Sequence, residues 1–467
     1  MSTVNAAQLW HAATGFAYFF LAAWASGHAL LRKRDPRSAL GWIGVCWLLP
    51  FAGAALYAMF GINRVETRGR RLQGLSPRRG ELPPHDAGQP LTQLQRIGGA
   101  VSGLPLLDGN RVEPLENGEQ AYPAMLQAIE AARTRVWLGS YIFDTGGYCR
   151  RFIDALGRAA ARGVQTRVLV DGFGELYSLP HAVSRLRRAG VAAERFLPPH
   201  LLPPTLYLNL RNHRKLLIVD GEIGFAGGMN IANRHLAAGR RRTTRDLHFS
   251  LRGPVVAQLA AAFARDWAFT AGESLQPPPT PAAAGNARCR VIIDGPDEDL
   301  DKLVLVMLGA IAAAHRRICI MTPYFLPPRE LVAALVAAAL RGVTVEIVVP
   351  QRSNLRFVDW AGRHAVGELL GHGVRLNAGG VPFAHHKLLL IDGIYALIGS
   401  ANLDPRSLRL NFEIGVEVFD LELCRRLEAL FDRERAAAQP LDAIRLARRS
   451  LPVRLRDGIF WLFSPYL

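Results

Sequence analysis

The sequence predicts an α/β protein of two similar halves standing behind an N-terminal helical hairpin. Three observations predict it. One stretch occurs twice at the same spacing, the same helix and strand order surrounds both copies, and two long runs without charge open the chain. The first copy runs His213-Arg214-Lys215-Leu216-Leu217-Ile218-Val219-Asp220 and on to Gly227-Gly228-Met229-Asn230. The second runs His385-His386-Lys387-Leu388-Leu389-Leu390-Ile391-Asp392 and on to Gly399-Ser400-Ala401-Asn402. In both copies the Lys follows the His by two residues, the Asp lies five further on and the Asn ten beyond that.

The charge-free runs are residues 9–31 and 38–61. Each is long enough to cross a bilayer at ~1.5 Å per residue, and the charged segment between them reads as a turn, so residues 1–63 are expected to form a transmembrane hairpin. The first eight residues carry no positive charge, which argues against a secretory signal. Residues 64–104 read as a basic linker rich in Pro and Gly, with Arg64, Arg68, Arg70, Arg71, Arg78 and Arg79 placed to attract anionic lipid.

Helix over 121–133, strand over 136–143, helix over 150–162 and strand over 165–171 are then expected. The same order returns over 303–315, 318–325, 329–341 and 344–350. Echoes support the repeat: Tyr141-Ile142-Phe143 answers Pro323-Tyr324-Phe325, and Ala161-Arg162-Gly163-Val164 answers Leu340-Arg341-Gly342-Val343. The halves span 105–275 and 288–467, separated by a Pro-rich linker over 276–287. This alternation argues for mostly parallel sheets covered by helices.

The net charge of +17 implies anionic partners without choosing between nucleic acid and acidic lipid. Five scattered cysteines suit neither a disulfide framework nor a zinc site.

Within each copy of the motif, the four apolar residues between Lys and Asp read as a buried strand. Period-2 alternation puts His and Lys on one face of it, ~7 Å apart. The pairs Asp220-Gly221 and Asp392-Gly393 are hairpin turn chemistry. Turn residues at 221–222 and 393–394 would set Asn230 opposite His213 and Asn402 opposite His385. Asp220 and Asp392 then fall at the far end of the strand, where a structural salt bridge suits them better than chemistry. Lysine usage sets the motif apart, since only Lys33, Lys215, Lys302 and Lys387 occur in the whole chain and two of them stand here.

These paired elements resemble the phospholipase D superfamily. More narrowly, Arg211-Asn212-His213-Arg214-Lys215, Gly399 to Ser407 and Asn411-Phe412-Glu413 resemble bacterial cardiolipin synthases, over nearly the whole chain. The resemblance implies two phospholipase D-like halves about a pseudo-twofold axis sharing one active site. It marks His213, Lys215, Asp220, His385, Lys387 and Asp392 as the catalytic motif and Asn230, Asn402, Asp246 and Glu413 as substrate-binding positions. It further implies attack on phosphorus by His213, proton transfer by His385, and phosphoryl oxygens held by Lys215, Lys387, Asn230 and Asn402. Asp246 and Glu413 would orient the imidazoles, and neither metal nor cofactor is called for. Phosphatidylglycerol would be donor and acceptor, with anionic phospholipids and the bacterial inner membrane as partners, and Arg240, Arg241, Arg242 and Arg245 would gather the second lipid. Thr244, His235 and His386 depart from the family pattern. A hydrolase or head-group exchange enzyme is the nearest alternative, and a nuclease a more distant one that the hairpin disfavours.

Overall fold

The computed structural model describes residues 6–33, 36–61, 90–199, 210–236, 243–297 and 299–464. Arg64, Arg68, Arg70, Arg71, Arg78, Arg79 and Arg240 to Arg242 lie outside them. The N-terminal unit is helical. The first charge-free run forms one helix of 27 residues, Ala6–Arg32. The second is broken into Pro36–Leu48, Ala52–Leu56 and a π-helical turn, Tyr57–Gly61. Pro50 lies at the break, where Phe51 takes a φ of 56°. Small residues Ala22, Ala25 and Ala29 are buried together with Cys46 and Tyr57, so the helices approach closely. Among the described residues no helix is long and apolar enough to cross a membrane.

The stretch 64–104 is not wholly a linker, since Pro90–Ser102 is helical. Leu94, Ile97 and Val101 fall on one face of that helix. Leu94 and Val101 join the second-half core and Ile97 meets Gly309. Thirteen residues with three apolar anchors gave too weak a period to see among the neighbouring Gly and Pro.

In the α/β unit the strands are β1 Leu107–Glu116, β2 Arg135–Ser140, β3 Gln165–Asp171, β4 Ala192–Phe196, β5 Arg211–Asn212, β6 Leu216–Val219, β7 Ile223–Gly227, β8 Thr244–Arg245 and β9 Leu247–Arg252. The second half supplies β10 Ala287–Asp294, β11 Arg317–Met321, β12 Thr344–Pro350, β13 Arg375–Gly379, β14 Phe383–Ala384, β15 Leu388–Ile391, β16 Tyr395–Gly399 and β17 Asn411–Phe419. The first half orders its strands β1-β9-β7-β6-β2-β3-β4 and the second β10-β17-β16-β15-β11-β12-β13, the same path twice. Antiparallel pairing of β1 with β10 joins them. The sheet is mixed rather than mostly parallel. Only β2-β3-β4 and β11-β12-β13 run parallel within a half, because each apolar run of the motif returns at once as a hairpin and pairs antiparallel on both sides. Helices 117–131 and 150–161 cover one core and 302–312 and 329–340 the other.

The hairpin register is one residue off the expected one. Val219 pairs with Ile223 and Ile391 with Tyr395, leaving three residues in each loop. Asp220 and Asp392 both take φ 54°, the left-handed region, and the Gly after each is left-handed too. The carboxylates explain it. Asp220 accepts from the backbone N–H groups of Arg133, Thr134 and Arg135 at 2.8–2.9 Å, and Asp392 from those of His315, Arg316 and Arg317 at 2.7–2.8 Å. Each caps the chain as it enters β2 or β11. The expected salt bridge is replaced by backbone amides, and both carboxylates stand at the end of β6 and β15 away from the His and Lys of the motif. Asp220→Ala and Asp392→Ala should each cost about 2 kcal/mol of stability, since three charge-assisted amide bonds are lost at a partly exposed site. Denaturant unfolding measures this, and a loss below about 0.5 kcal/mol would mean that water replaces the carboxylate.

Candidate active site

Each motif histidine is carried out of its own half and fixed to the other. β5 pairs in parallel with β17 of the second half, Arg211 beside Asn411 and Asn212 beside Phe412, and the His213 N–H donates to the Phe412 carbonyl at 2.9 Å. In the mirror arrangement β14 pairs with β8 of the first half, and the His385 N–H donates to the Arg245 carbonyl at 2.7 Å. The next residue of each host strand is a carboxylate. His213 Nδ1 lies 2.9 and 3.1 Å from the Glu413 oxygens, and His385 Nδ1 lies 2.6 Å from Asp246 Oδ2. Nδ1–H is thereby spent on the carboxylate, leaving Nε2 for chemistry.

The carboxylates are held in turn. Glu413 is fully buried and accepts from the Ser400 hydroxyl at 2.5 Å and the Asn411 amide at 3.0 Å. Asp246 accepts from the Leu247 N–H at 2.8 Å, and the Asn117 side chain holds its backbone N–H at 3.0 Å. A Cβ on Gly228 would stand 2.6 Å from Asp246 Oδ1 and 3.1 Å from the Lys387 side chain, so the first copy needs glycine where the second carries Ser400.

Both lysines are buried and fold back, Lys215 Nζ donating to the His213 carbonyl at 2.6 Å and Lys387 Nζ to the His385 carbonyl at 2.7 Å. Lys387 Nζ also lies 2.8 Å from His385 Nδ1 and 3.2 Å from its Nε2. The asparagines are buried. Asn230 Oδ1 accepts from the Ile142 N–H at 3.1 Å, while Asn402 Nδ2 donates to Ser407 at 3.1 Å and its Oδ1 has no partner. Tyr141 stands edge-on to His213 with ring centres 5.2 Å apart, and Tyr324 edge-on to His385 at 6.3 Å.

Electrostatics set the resting charges. Burial lowers the proton affinity of His213. Burial and the neighbouring Lys387, Lys215 and His213 lower that of His385 much further. Burial pushes Lys215 well down and Lys387 down to about 8. Burial alone would raise Glu413, but His213, Lys215 and the Ser400 hydroxyl hold it down at about 2. The empty site therefore favours neutral imidazoles and an anionic Glu413, and burial makes its two lysines less basic than they are in water. An anion placed among them reverses these shifts, so the pocket is built for a phosphoryl group.

Comparison with known proteins agrees. The model described as "Cardiolipin synthase, PLD-like domain" matches residues 125–267 and 307–435, and one described as "Phospholipase_D-nuclease N-terminal" matches 20–61. The chain belongs to the phospholipase D-like cardiolipin synthase family. It is 31% identical to the cardiolipin synthase of Geobacillus thermodenitrificans, over 94% of this chain and 90% of that protein. It is 34% identical to cardiolipin synthase A of Pseudomonas aeruginosa, over 87% and 86%. Among solved structures, the phosphatidylserine synthase of Haemophilus influenzae shares the fold, with a TM-score of 0.62 at 15% identity, covering 80% of this chain and 100% of that one.

Three features of the site escaped the sequence. The crosswise choice of carboxylate was not legible, because nothing local says which half Glu413 faces. Ser400 and Asn411, inside quoted motifs, went unassigned although they hold Glu413. The third is a small apolar cavity of about 40 Å³ beneath Lys387, bounded by Met307, Leu331, Leu335, Leu397 and Ala401. Matching positions in the first-half core hold Phe152 for Leu331, Phe225 for Leu397 and Met229 for Ala401, only partly offset by Ala121 for Leu303. Smaller side chains leave the space. Of the departures noted, His235 and His386 are both buried, His235 with neither ring nitrogen partnered and its ring 6.3 Å from that of His385. Thr244 pairs with Phe383 at the crossing strand.

Two outcomes follow from these charges. Sulfate, whose own charge is constant, should bind below about pH 8 and weaken above it, because Lys387 is cationic below that pH and neutral above it. Calorimetric titration across pH reads this, and a flat affinity from pH 7 to 9.5 would rule Lys387 out as the anion's partner. Glu413→Gln should cut turnover by roughly 10²–10⁴-fold, by analogy with other His–carboxylate pairs, while leaving sulfate bound. Equal loss of both would make Glu413 a folding residue only.

Proposed function

We propose that the protein transfers a phosphatidyl group from one phosphatidylglycerol to another, giving cardiolipin and free glycerol. What carries this reading is the pair of imidazoles, each held at Nδ1 by a buried carboxylate of the opposite half, with a lysine beside each. His213 Nε2 attacks phosphorus and the P–O bond to glycerol breaks. The departing alkoxide takes the Nε2 proton of His385. That proton arrives with the substrate, since the diester anion raises the affinity that the empty site holds low. The glycerol hydroxyl of the second lipid then gives its proton to His385 and attacks phosphorus as the P–N bond breaks. Lys215 and Lys387 hold the non-bridging oxygens. The nucleophile's role goes to His213 on the family resemblance, and the adduct experiment below decides between the two histidines.

Membrane attachment belongs to the same proposal. The N-terminal helices enter the bacterial inner membrane as a packed pair. In support, Ala6–Arg32 is ~40 Å long at 1.5 Å per residue, exposes Leu9, Trp10, Phe16, Phe19, Phe20 and Leu30, and pairs its polar groups inward, His28 with the Tyr57 hydroxyl at 2.7 Å and Ser26 with Trp47 at 3.0 Å.

With phosphatidylglycerol as sole lipid substrate, cardiolipin and glycerol should appear in equal amounts and excess glycerol should reverse the reaction. In His385→Ala, mass spectrometry should find a phosphatidyl adduct on His213. Phosphatidic acid as main product would make the enzyme a hydrolase, and an adduct on His385 in His213→Ala would exchange the roles.

A further inference from the structure

The helix Leu451–Leu462 has one face committed and one bare. On the committed face, Phe460 lies 4.9 Å from Trp360 and Trp461 stacks 4.3 Å from His364, both on the helix Arg356–Gly371. The Arg456 guanidinium sits 4.4 Å above Trp360, and buried Asp457 pairs with Arg449 and Arg456. On the other face Leu451, Leu455, Ile459, Leu462 and Phe463 are between 55% and 68% exposed. Their spacing places all five on one continuous stripe. Arg454 on the helix and Arg445 and Arg448 just before it are exposed, and the only acid over 443–464 is the paired Asp457.

Five large apolar side chains in one stripe are a surface that meets something. We propose that this helix lies in the surface of an anionic phospholipid bilayer, its stripe among the acyl chains and its arginines on the phosphates. A second copy of the chain fits less well, because a twofold contact would set the arginine rim against itself, in a protein of net charge +17. Amphipathic helices with an arginine-bearing polar edge bind anionic interfaces in this way. The position also suits it. The partner helix begins two residues after Asn354, whose Oδ1 accepts from the Tyr324 hydroxyl at 2.6 Å, and Tyr324 stands against His385. Phe460 packs on Trp360, one turn into that helix, so the C-terminal helix is tied to the element that follows the Tyr324 contact. The bilayer contact is separate from the N-terminal helices and goes beyond the reaction proposed above.

All five native cysteines are buried, so Ile459→Cys in the full-length protein accepts an environment-sensitive thiol label at one place. In vesicles of phosphatidylglycerol and phosphatidylcholine the label should shift to the blue and be quenched by a lipid-borne quencher, and less so in phosphatidylcholine alone. Quenching by aqueous iodide in both, without lipid quenching, overturns the proposal. So does a shift that grows with protein-to-lipid ratio, which would give the stripe to a second copy. Leu455→Glu with Ile459→Glu should lower turnover on vesicle phosphatidylglycerol relative to a dispersed short-chain analogue by about tenfold. An unchanged ratio overturns the proposal. The label reports position whether or not the enzyme makes cardiolipin, so the two readings can fail separately.

Discussion

The molecule depends on a hydrogen bond between residues 200 apart, from His213 to Glu413, and its counterpart from His385 to Asp246. A buried imidazole needs a partner for Nδ1, and a buried carboxylate needs donors. Here each half supplies the imidazole for the other's carboxylate, so neither half alone contains a finished histidine–carboxylate pair. Much of the architecture serves that exchange. The antiparallel seam of β1 and β10 aligns the two sheets, and the short parallel pairs β5 to β17 and β14 to β8 deliver each histidine across the divide. Arg214, buried beside His213, bonds the carbonyls of Glu413 and Asp294 at 3.0 and 2.9 Å and pairs with Asp266. That guanidinium ties the first-half motif to two strands of the second half.

Twofold symmetry alone would make the two histidines interchangeable, yet a two-step transfer needs one nucleophile and one proton carrier. The differences between the halves are small and lie close to the chemistry. Position 141 is Tyr and packs on His213, whereas its repeat partner is Pro323 and His385 meets Phe383 and the following residue, Tyr324. Lys387 reaches both nitrogens of its histidine, while among the described contacts Lys215 reaches only the carbonyl of its own. A small apolar cavity borders Lys387. The repeat supplies the constellation, and side-chain differences within a shared backbone set its two copies apart.

How much of this was readable beforehand follows from where each signal resides. Strands 165–171 and 344–350 match the expectation residue for residue, since an apolar β-branched run between two helices leaves little choice. His213, Lys215, His385 and Lys387 were legible because their chemistry recurs at a fixed spacing. The hairpin register was not, because it turns on an Asp entering the left-handed region to cap amides of another strand, a tertiary demand with no local trace. The mixed sheet was misjudged for a related reason: helix and strand alternation predicts parallel neighbours, but hairpins inserted between the parallel runs set most of the pairings antiparallel. The second charge-free run looked continuous by composition, while Pro50 breaks it in the fold.

A transferase in water has to keep water from winning. A phosphohistidine faces ~55 M water, while an acceptor lipid is held by position, and well-oriented groups reach effective molarities of order 10⁵ M. That advantage exists only if the acceptor hydroxyl arrives already aimed. A lipid held in a bilayer has lost much of its translational freedom, and its head group sits at a fixed depth, so an enzyme docked at constant height has less alignment left to impose. Two attachments fix height and tilt where one would leave the mouth free to swing. If the N-terminal helices provide the first and the stripe from Leu451 to Phe463 the second, the histidines are held at head-group level. The choice between cardiolipin and phosphatidic acid would then be made partly by the surface of the protein, far from phosphorus.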